Sequence, residues 1–211
     1  NAIIALNPNV LKEARRLDEQ KENVNIHPIN GMPILLKDNI DALPMATTAG
    51  AAAMSENYPK ENAFVVTQLK SKGALILGKV NLSEWAYYFC QGCPLGYSAM
   101  GGQTLNPYGR KLFETGGSSS GSGVAVAANY AVAALGSETS GSILSPSGKN
   151  SLVGLKPTIG AISRSGIVPI SSSMDTAGPM TKYVIDNAIL MSAMTGKDTD
   201  DPSSYESLPI R

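Results

Sequence analysis

Residues 114–157 read ETGGSSSGSGVAVAANYAVAALGSETSGSILSPSGKNSLVGLKP. Two Gly/Ser-rich turns frame a stretch that is almost wholly apolar. Small residues at this density let backbone amides approach a ligand closely, because no Cβ intervenes. The apolar stretch divides into a buried helix, Val124 to Tyr130, and a strand, Ala131 to Leu135. Upstream, GMPILLKDNID is a short apolar run bounded by Gly31–Pro33 and by polar residues, which predicts a buried strand ending near Lys37. Phe64 to Lys72 has helical periodicity, stopped by Gly73, and ALILG follows as a second buried strand. Helices that alternate with short, continuous apolar strands predict an α/β fold. The expected sheet is mixed and largely parallel, covered by helices on both faces.

The flanks are read in the same way. Pro8 followed by NVLKEARRLDEQ has apolar residues at Val10, Leu11, Ala14 and Leu17, a helical spacing. The opening NAIIALNPN is apolar and helix-like, with no cap or initiator before it, as a trimmed N-terminus would read. Asn81, with Glu84 three residues on, is placed to cap a helix. TKYVIDNAILMSAMTG predicts an amphipathic helix closed by Gly196, and the polar tail KDTDDPSSYESLPIR a surface loop. No repeat or linker divides residues 1–211, so a single domain is expected.

Composition excludes several function classes. Among 211 residues, 17 basic and 17 acidic side chains cancel. No Lys/Arg cluster marks a nucleic-acid partner, and no apolar run is long enough for a bilayer. A cytoplasmic protein is expected. Gly73-ALIL-Gly78-Lys79 imitates a phosphate loop, but Val80 stands where Ser or Thr would hold magnesium, and the intervening residues form a strand core. Asn81-Leu-Ser83 matches a glycosylation acceptor, a reading set aside in favour of the cap. Cys90-Gln-Gly-Cys93 reads either as a redox pair or half a metal site, or as two reduced, partly buried thiols; the thiol reading is preferred. The only histidine, His27, sits before Pro28 in a polar loop and is expected at the surface.

Serine chemistry therefore needs a base other than histidine, since a hydroxyl is a poor nucleophile at neutral pH. Lys37 differs from the other lysines in closing the run Pro33-Ile-Leu-Leu. Burial without a paired carboxylate lowers a lysine's pKa, so that the neutral amine can accept a proton. The other reading, preferred on spacing alone, is that Lys37 pairs with adjacent Asp38 at the strand end.

GGSSSGSG, then GSETSGSILSP and VGLKPT, resemble the amidase signature family. GMPILLKDNID, LKSKGALILGKVNLSEW and ISRSGIVPISSSMDTAGPM extend the similarity over essentially the whole chain, in the right order. The resemblance implies hydrolysis of amide bonds by a Ser–Ser–Lys triad through an acyl-enzyme, with no metal or cofactor. Position by position, it implies Lys37 as the catalytic lysine and Ser118, on a cis peptide after Gly117, as the bridging serine. Ser142 matches the nucleophile, and the amides of Thr139, Ser140, Gly141 and Ser142 match the oxyanion hole.

The chain departs from the family's TGGSIR, with Ser140 for the first glycine and Leu144 for the arginine. Glu138 replaces a frequent Asp, and Thr115 a frequent Pro. The GSET start, the missing arginine and the later SRSGIVPIS…DTAGPM block look closest to the peptide amidase branch, which implies an amidated peptide, or a small amide, as substrate. The enzyme alternative is a glutamine-hydrolysing component of an amidotransferase; a scaffold on the same fold is the non-catalytic one. Family domains are longer, so residues 1–211 are expected to be a partial domain lacking its C-terminal half and prone to self-association. Ser171 to Asp175 and Tyr87-Tyr88-Phe89 are candidate pocket residues, though such an aromatic run is more often core.

Overall fold

The computed structural model describes residues 1–19 and 27–204. The elements follow in the order β1 (Ile3–Leu6), α1 (Val10–Glu19), β2 (Pro33–Lys37), α2 (Phe64–Ser71), β3 (Leu75–Val80), β4 (Tyr97–Ser98), β5 (Gly102–Gln103), α3 (Ser120–Ala127), β6 (Ala133–Glu138), α4 (Leu144–Lys149), β7 (Val153–Gly154), β8 (Thr176–Thr181) and α5 (Val184–Met194). Six strands form one sheet in the order β1-β3-β2-β6-β8-β7, and β4 and β5 make a separate hairpin. At the centre β3, β2 and β6 are parallel, while β1, β8 and β7 each pair antiparallel with their neighbours. The sheet is thus mixed, and four of its strands (β2, β3, β6 and β7) share one direction.

The continuous apolar run of β2 is explained by burial on both sides. Ile34 and Leu36 face a core with Ile76 and Leu135 beneath α2 and α5, to which Val65, Leu69, Leu190 and Met194 contribute. Leu35 points the other way, toward Val80, Ala134 and the Val124–Val126 segment of α3. The period of two along a strand therefore serves two cores at once. Lys37 closes this strand, and β6 beside it ends in Ser137 and Glu138, so the carboxyl ends of adjacent parallel strands deliver polar residues to one place.

Several expectations need correction. The opening residues form an edge strand, not a helix: Ile3 pairs with Val80 and Leu6 with Gly78, consistent with the preference of β-branched side chains for a pleated surface. Asn81 caps nothing. Fully buried, it accepts from Leu82 N–H and Ser98 Oγ and donates to Gly102 O and Thr104 Oγ1. After it comes no helix but a tight turn, Glu84–Tyr87, with Trp85 and Ala86 at positive, non-helical φ. The tail is packed as far as it is described: Asp198 accepts from Ser163, and Asp201 pairs with Arg164 at 2.7 Å. Gln20 of the first predicted helix, and residues 205–211 of the tail, lie outside the described residues.

Candidate active site

Lys37 is fully buried. Its Nζ lies 2.7 Å from Ser118 Oγ and 3.0 Å from both the carbonyl oxygen and the hydroxyl of Ser137. Among the described residues no carboxylate lies within ion-pair distance of it. Adjacent Asp38 is committed elsewhere: its Oδ1 lies 3.1 Å from Lys79 Nζ, and its Oδ2 accepts from Thr48. Consecutive residues at a strand end project to opposite sides, so the pairing of Lys37 with Asp38 is replaced by Lys79 with Asp38. Burial lowers the Lys37 pKa from 10.5 to about 7, opposed by the more distant charges of Glu138 and Asp175. Such a lysine is partly neutral at physiological pH.

Ser118 opens the segment leading into α3 and is almost fully buried; the peptide between Gly117 and Ser118 is cis. A Cβ at Gly117 would lie 2.6 Å from Ser83 Oγ, so any larger residue there must displace that hydroxyl. Ser119 N–H donates to Ser142 O at 3.1 Å, which ties the turn carrying Ser142 to the one carrying Ser118. Ser118, Ser142, Thr139 and Ser140 line a cleft of about 240 Å³, walled on its other side by Ala86, Tyr87, Tyr88 and Ile170.

The turn at 138–143 is built around a residue that the sequence marked only as a departure. The Glu138 carboxylate is buried and accepts N–H from Gly141 (2.8 Å), Ile143 (2.6 Å) and Leu144 (2.9 Å). It thereby folds TSGSIL about itself and satisfies amides at the start of α4. Gly141 adopts φ +80°, the left-handed region that favours glycine. Its N–H is already given to Glu138; the hydrogen bonds among the described residues leave those of Thr139, Ser140 and Ser142 unengaged. Lys156 Nζ donates to Thr139 O at 2.6 Å and lies 4.0 Å from Glu138.

Ser137 and Asn39 were not anticipated. Asn39 Nδ2 donates to Ser137 Oγ at 2.8 Å, so the hydroxyl that meets Lys37 is itself held. Both lie inside the quoted runs GSETSGSILSP and GMPILLKDNID, but nothing in either run gives them a role; the parallel register of β2 with β6 puts them together. Ser171 and Asp175 do line a cavity, of about 320 Å³, that borders the cleft at Thr139. There the Asp175 carboxylate accepts N–H from Ile170 and Ser171 and the Thr139 hydroxyl.

The remaining candidates sort differently. Tyr88 and Phe89 are 65% and 73% exposed, hence wall and not core. Cys90 and Cys93 are not free thiols. The Gln91-Gly92 turn, with Gly92 at φ +83°, brings their Cα atoms to 5.8 Å and the sulfurs form a disulfide. His27 lines neither the cleft nor the cavity beside it, and its Nδ1 accepts from Ile29 N–H. Among the described residues no helix is long and apolar enough to cross a membrane.

A family model described as Amidase matches residues 1–209. A Schizosaccharomyces pombe protein named as an amidase is 43% identical over 95% of this chain and 35% of its own length. A glutamyl-tRNA(Gln) amidotransferase component from Lawsonia intracellularis is 41% identical over 92% of this chain and 39% of its own. The solved peptide amidase of Stenotrophomonas maltophilia superposes with a TM-score of 0.94 at 50% identity, covering all of this chain and 43% of that one. The chain thus spans well under half the length of these relatives.

Proposed function

This chain belongs to the amidase family, and from that premise we propose that it carries the catalytic centre of an amide hydrolase built on Lys37, Ser118 and Ser142. One observation carries the reading: a buried lysine, with no carboxylate in ion-pair range among the described residues, donates to, or accepts from, a serine hydroxyl at 2.7 Å, in the cleft that also holds a second serine. In the proposed cycle neutral Lys37 takes the Ser118 proton while Ser118 takes that of Ser142, whose oxygen attacks the amide carbonyl. The oxyanion sits among the N–H groups of Thr139, Ser140 and Ser142. Gly141, whose amide is committed to Glu138, supplies the turn. As the tetrahedral species collapses, the proton returns along the relay to the departing amine. Water then releases the acyl group from Ser142 by the same relay.

C-terminally amidated peptides are the proposed substrates, supported by the likeness to a peptide amidase and by Leu144 in place of the family's arginine. The second reading is glutamine hydrolysis within an amidotransferase, supported by the likeness to a component of a glutamyl-tRNA(Gln) amidotransferase. Intact mass after treatment with a fluorophosphonate tests the centre itself. A single adduct, absent in Ser142→Ala, is expected; an adduct that survives in Ser142→Ala, or no adduct at all, would overturn it. Ammonia release from amidated dipeptides versus glutamine then separates the two substrates. Exposed Val132, Tyr183, Val184 and Ile185 also support the proposal that the chain self-associates. A monodisperse monomer in light scattering at micromolar concentration would refute that.

A further inference from the structure

One wall of the cleft is neither sheet nor helix. Trp85, Ala86 and Tyr87 have φ values of 52°, 54° and 71°, three consecutive non-glycine residues in a region that L-amino acids avoid. All three are only partly buried, and Tyr88 and Phe89 next to them are mostly exposed. Local ties do the holding. Trp85 N–H donates to Ala49 O at 2.9 Å, and Gly92 N–H donates to the Tyr87 hydroxyl at 2.9 Å. The Phe89 ring meets Trp85 and Tyr88 edge-on, with centroids 5.8 and 5.0 Å away.

The Cys90–Cys93 disulfide closes the same loop, and the chain lines the cleft on both sides of it. Tyr87 and Tyr88 come just before, and Leu95 just after. Leu95 packs under the catalytic turn: a Cβ built at Gly117, the residue preceding Ser118, would lie 3.1 Å from Leu95 Cδ2. Both cysteines are partly exposed, so an external thiolate can reach the sulfurs.

We propose that the Cys90–Cys93 disulfide is a redox-responsive staple of the cleft, holding the aromatic wall beside Ser118 and Ser142 when closed and releasing it when reduced. The reductant is a dithiol, protein or small molecule. Its thiolate attacks one sulfur to give a mixed disulfide, and its second thiol resolves this. Two cysteine thiols and one oxidised dithiol result, with two electrons and two protons transferred to the chain. Once the loop is open, the residues at positive φ relax toward ordinary backbone and carry Tyr87 and Tyr88 away.

The test has two readouts, and only the second rests on the assignment of Ser142. Trp85 is the only tryptophan, and Cys90 and Cys93 are the only cysteines, so Trp85 emission maximum and anisotropy report on this loop alone. Reduction with dithiothreitol and capping with iodoacetamide, verified by intact mass, should red-shift Trp85 and lower its anisotropy. Fluorophosphonate labelling of Ser142 should slow about tenfold, as for a modest misplacement of a catalytic wall. Reoxidation of uncapped protein should restore both, and Cys90→Ser/Cys93→Ser should match the reduced protein and ignore dithiothreitol. Unchanged Trp85 signals after full reduction would overturn the staple. A Trp85 response with an unchanged labelling rate would overturn its control of the cleft. Absence of labelling in both states would count against Ser142 as nucleophile, leaving Trp85 to decide the staple.

Discussion

Lys37 shows what a residue's burial can do that its identity alone cannot. A neutral amine has two N–H groups and one lone pair. The Ser137 carbonyl and hydroxyl, each at 3.0 Å, can accept the two N–H groups, which leaves the lone pair for the Ser118 hydroxyl. Protonation fills that lone pair and would stop the proposed relay. With burial holding the pKa at about 7, the rate of fluorophosphonate labelling of Ser142 should climb from pH 6 to 8 with its midpoint near 7. A flat profile over that range would remove Lys37 as the base. The apolar run before Lys37 already pointed to its burial; whether Asp38 neutralised it was not legible. That depended on Lys79, which stands far along the chain and is brought to Asp38 by the parallel pairing of β2 with β3.

At the level of elements, the two Gly/Ser-rich turns do opposite jobs. In α3 the small residues are there to be packed: Ser120, Gly121, Ser122 and Gly123 are all buried. A Cβ at Gly121 would lie 2.4 Å from Asn81 O, 2.5 Å from Asn81 N and 2.7 Å from Ala2 O, all backbone atoms that cannot swing aside. Gly121→Ala should therefore destabilise by about 2–3 kcal/mol, despite the ~1 kcal/mol that Ala ordinarily gains over Gly in a helix. A thermal midpoint equal to or above the parent's would refute this. The turn at 138–143 instead depends on one carboxylate. Glu138→Ala strands three N–H groups and should cost about 2–4 kcal/mol, and Glu138→Gln should recover only part, because its amide nitrogen cannot accept. Full recovery in Glu138→Gln, measured by denaturant titration, would show that the charge is dispensable. These distinctions were invisible in the one-dimensional pattern, where both turns look alike. So was the edge strand β1, whose four residues are too few to show a period. By contrast α2 and β3 were legible almost to the residue, because Gly73 at φ +83° punctuates them.

For the molecule as a whole, the same buried amine that is proposed to serve the chemistry opposes folding. In the unfolded chain Lys37 keeps its ordinary pKa of 10.5, whereas in the fold it is held at about 7. Between those values the unfolded chain binds the proton and the folded chain does not, so stability must rise with pH across that window. Lys79 is displaced in the same direction by its own burial, partly offset by Asp38. Each pH unit of the window is worth at most ~1.4 kcal/mol per lysine, and competing ionisations reduce the net. The thermal midpoint should accordingly increase from pH 7 to 9. Lys37→Met fills the site with a chain of similar length that needs no deprotonation. It should raise the midpoint at pH 7, flatten its pH dependence and abolish labelling of Ser142. If Lys37→Met instead lowers stability at pH 7, the hydrogen bonds to Ser118 and Ser137 outweigh desolvation, and Lys37 is a structural keystone rather than a strained base. The comparison of midpoints for the two proteins at pH 7 and pH 9 separates these cases, because only a lysine driven toward neutrality makes the difference between them shrink as the pH rises.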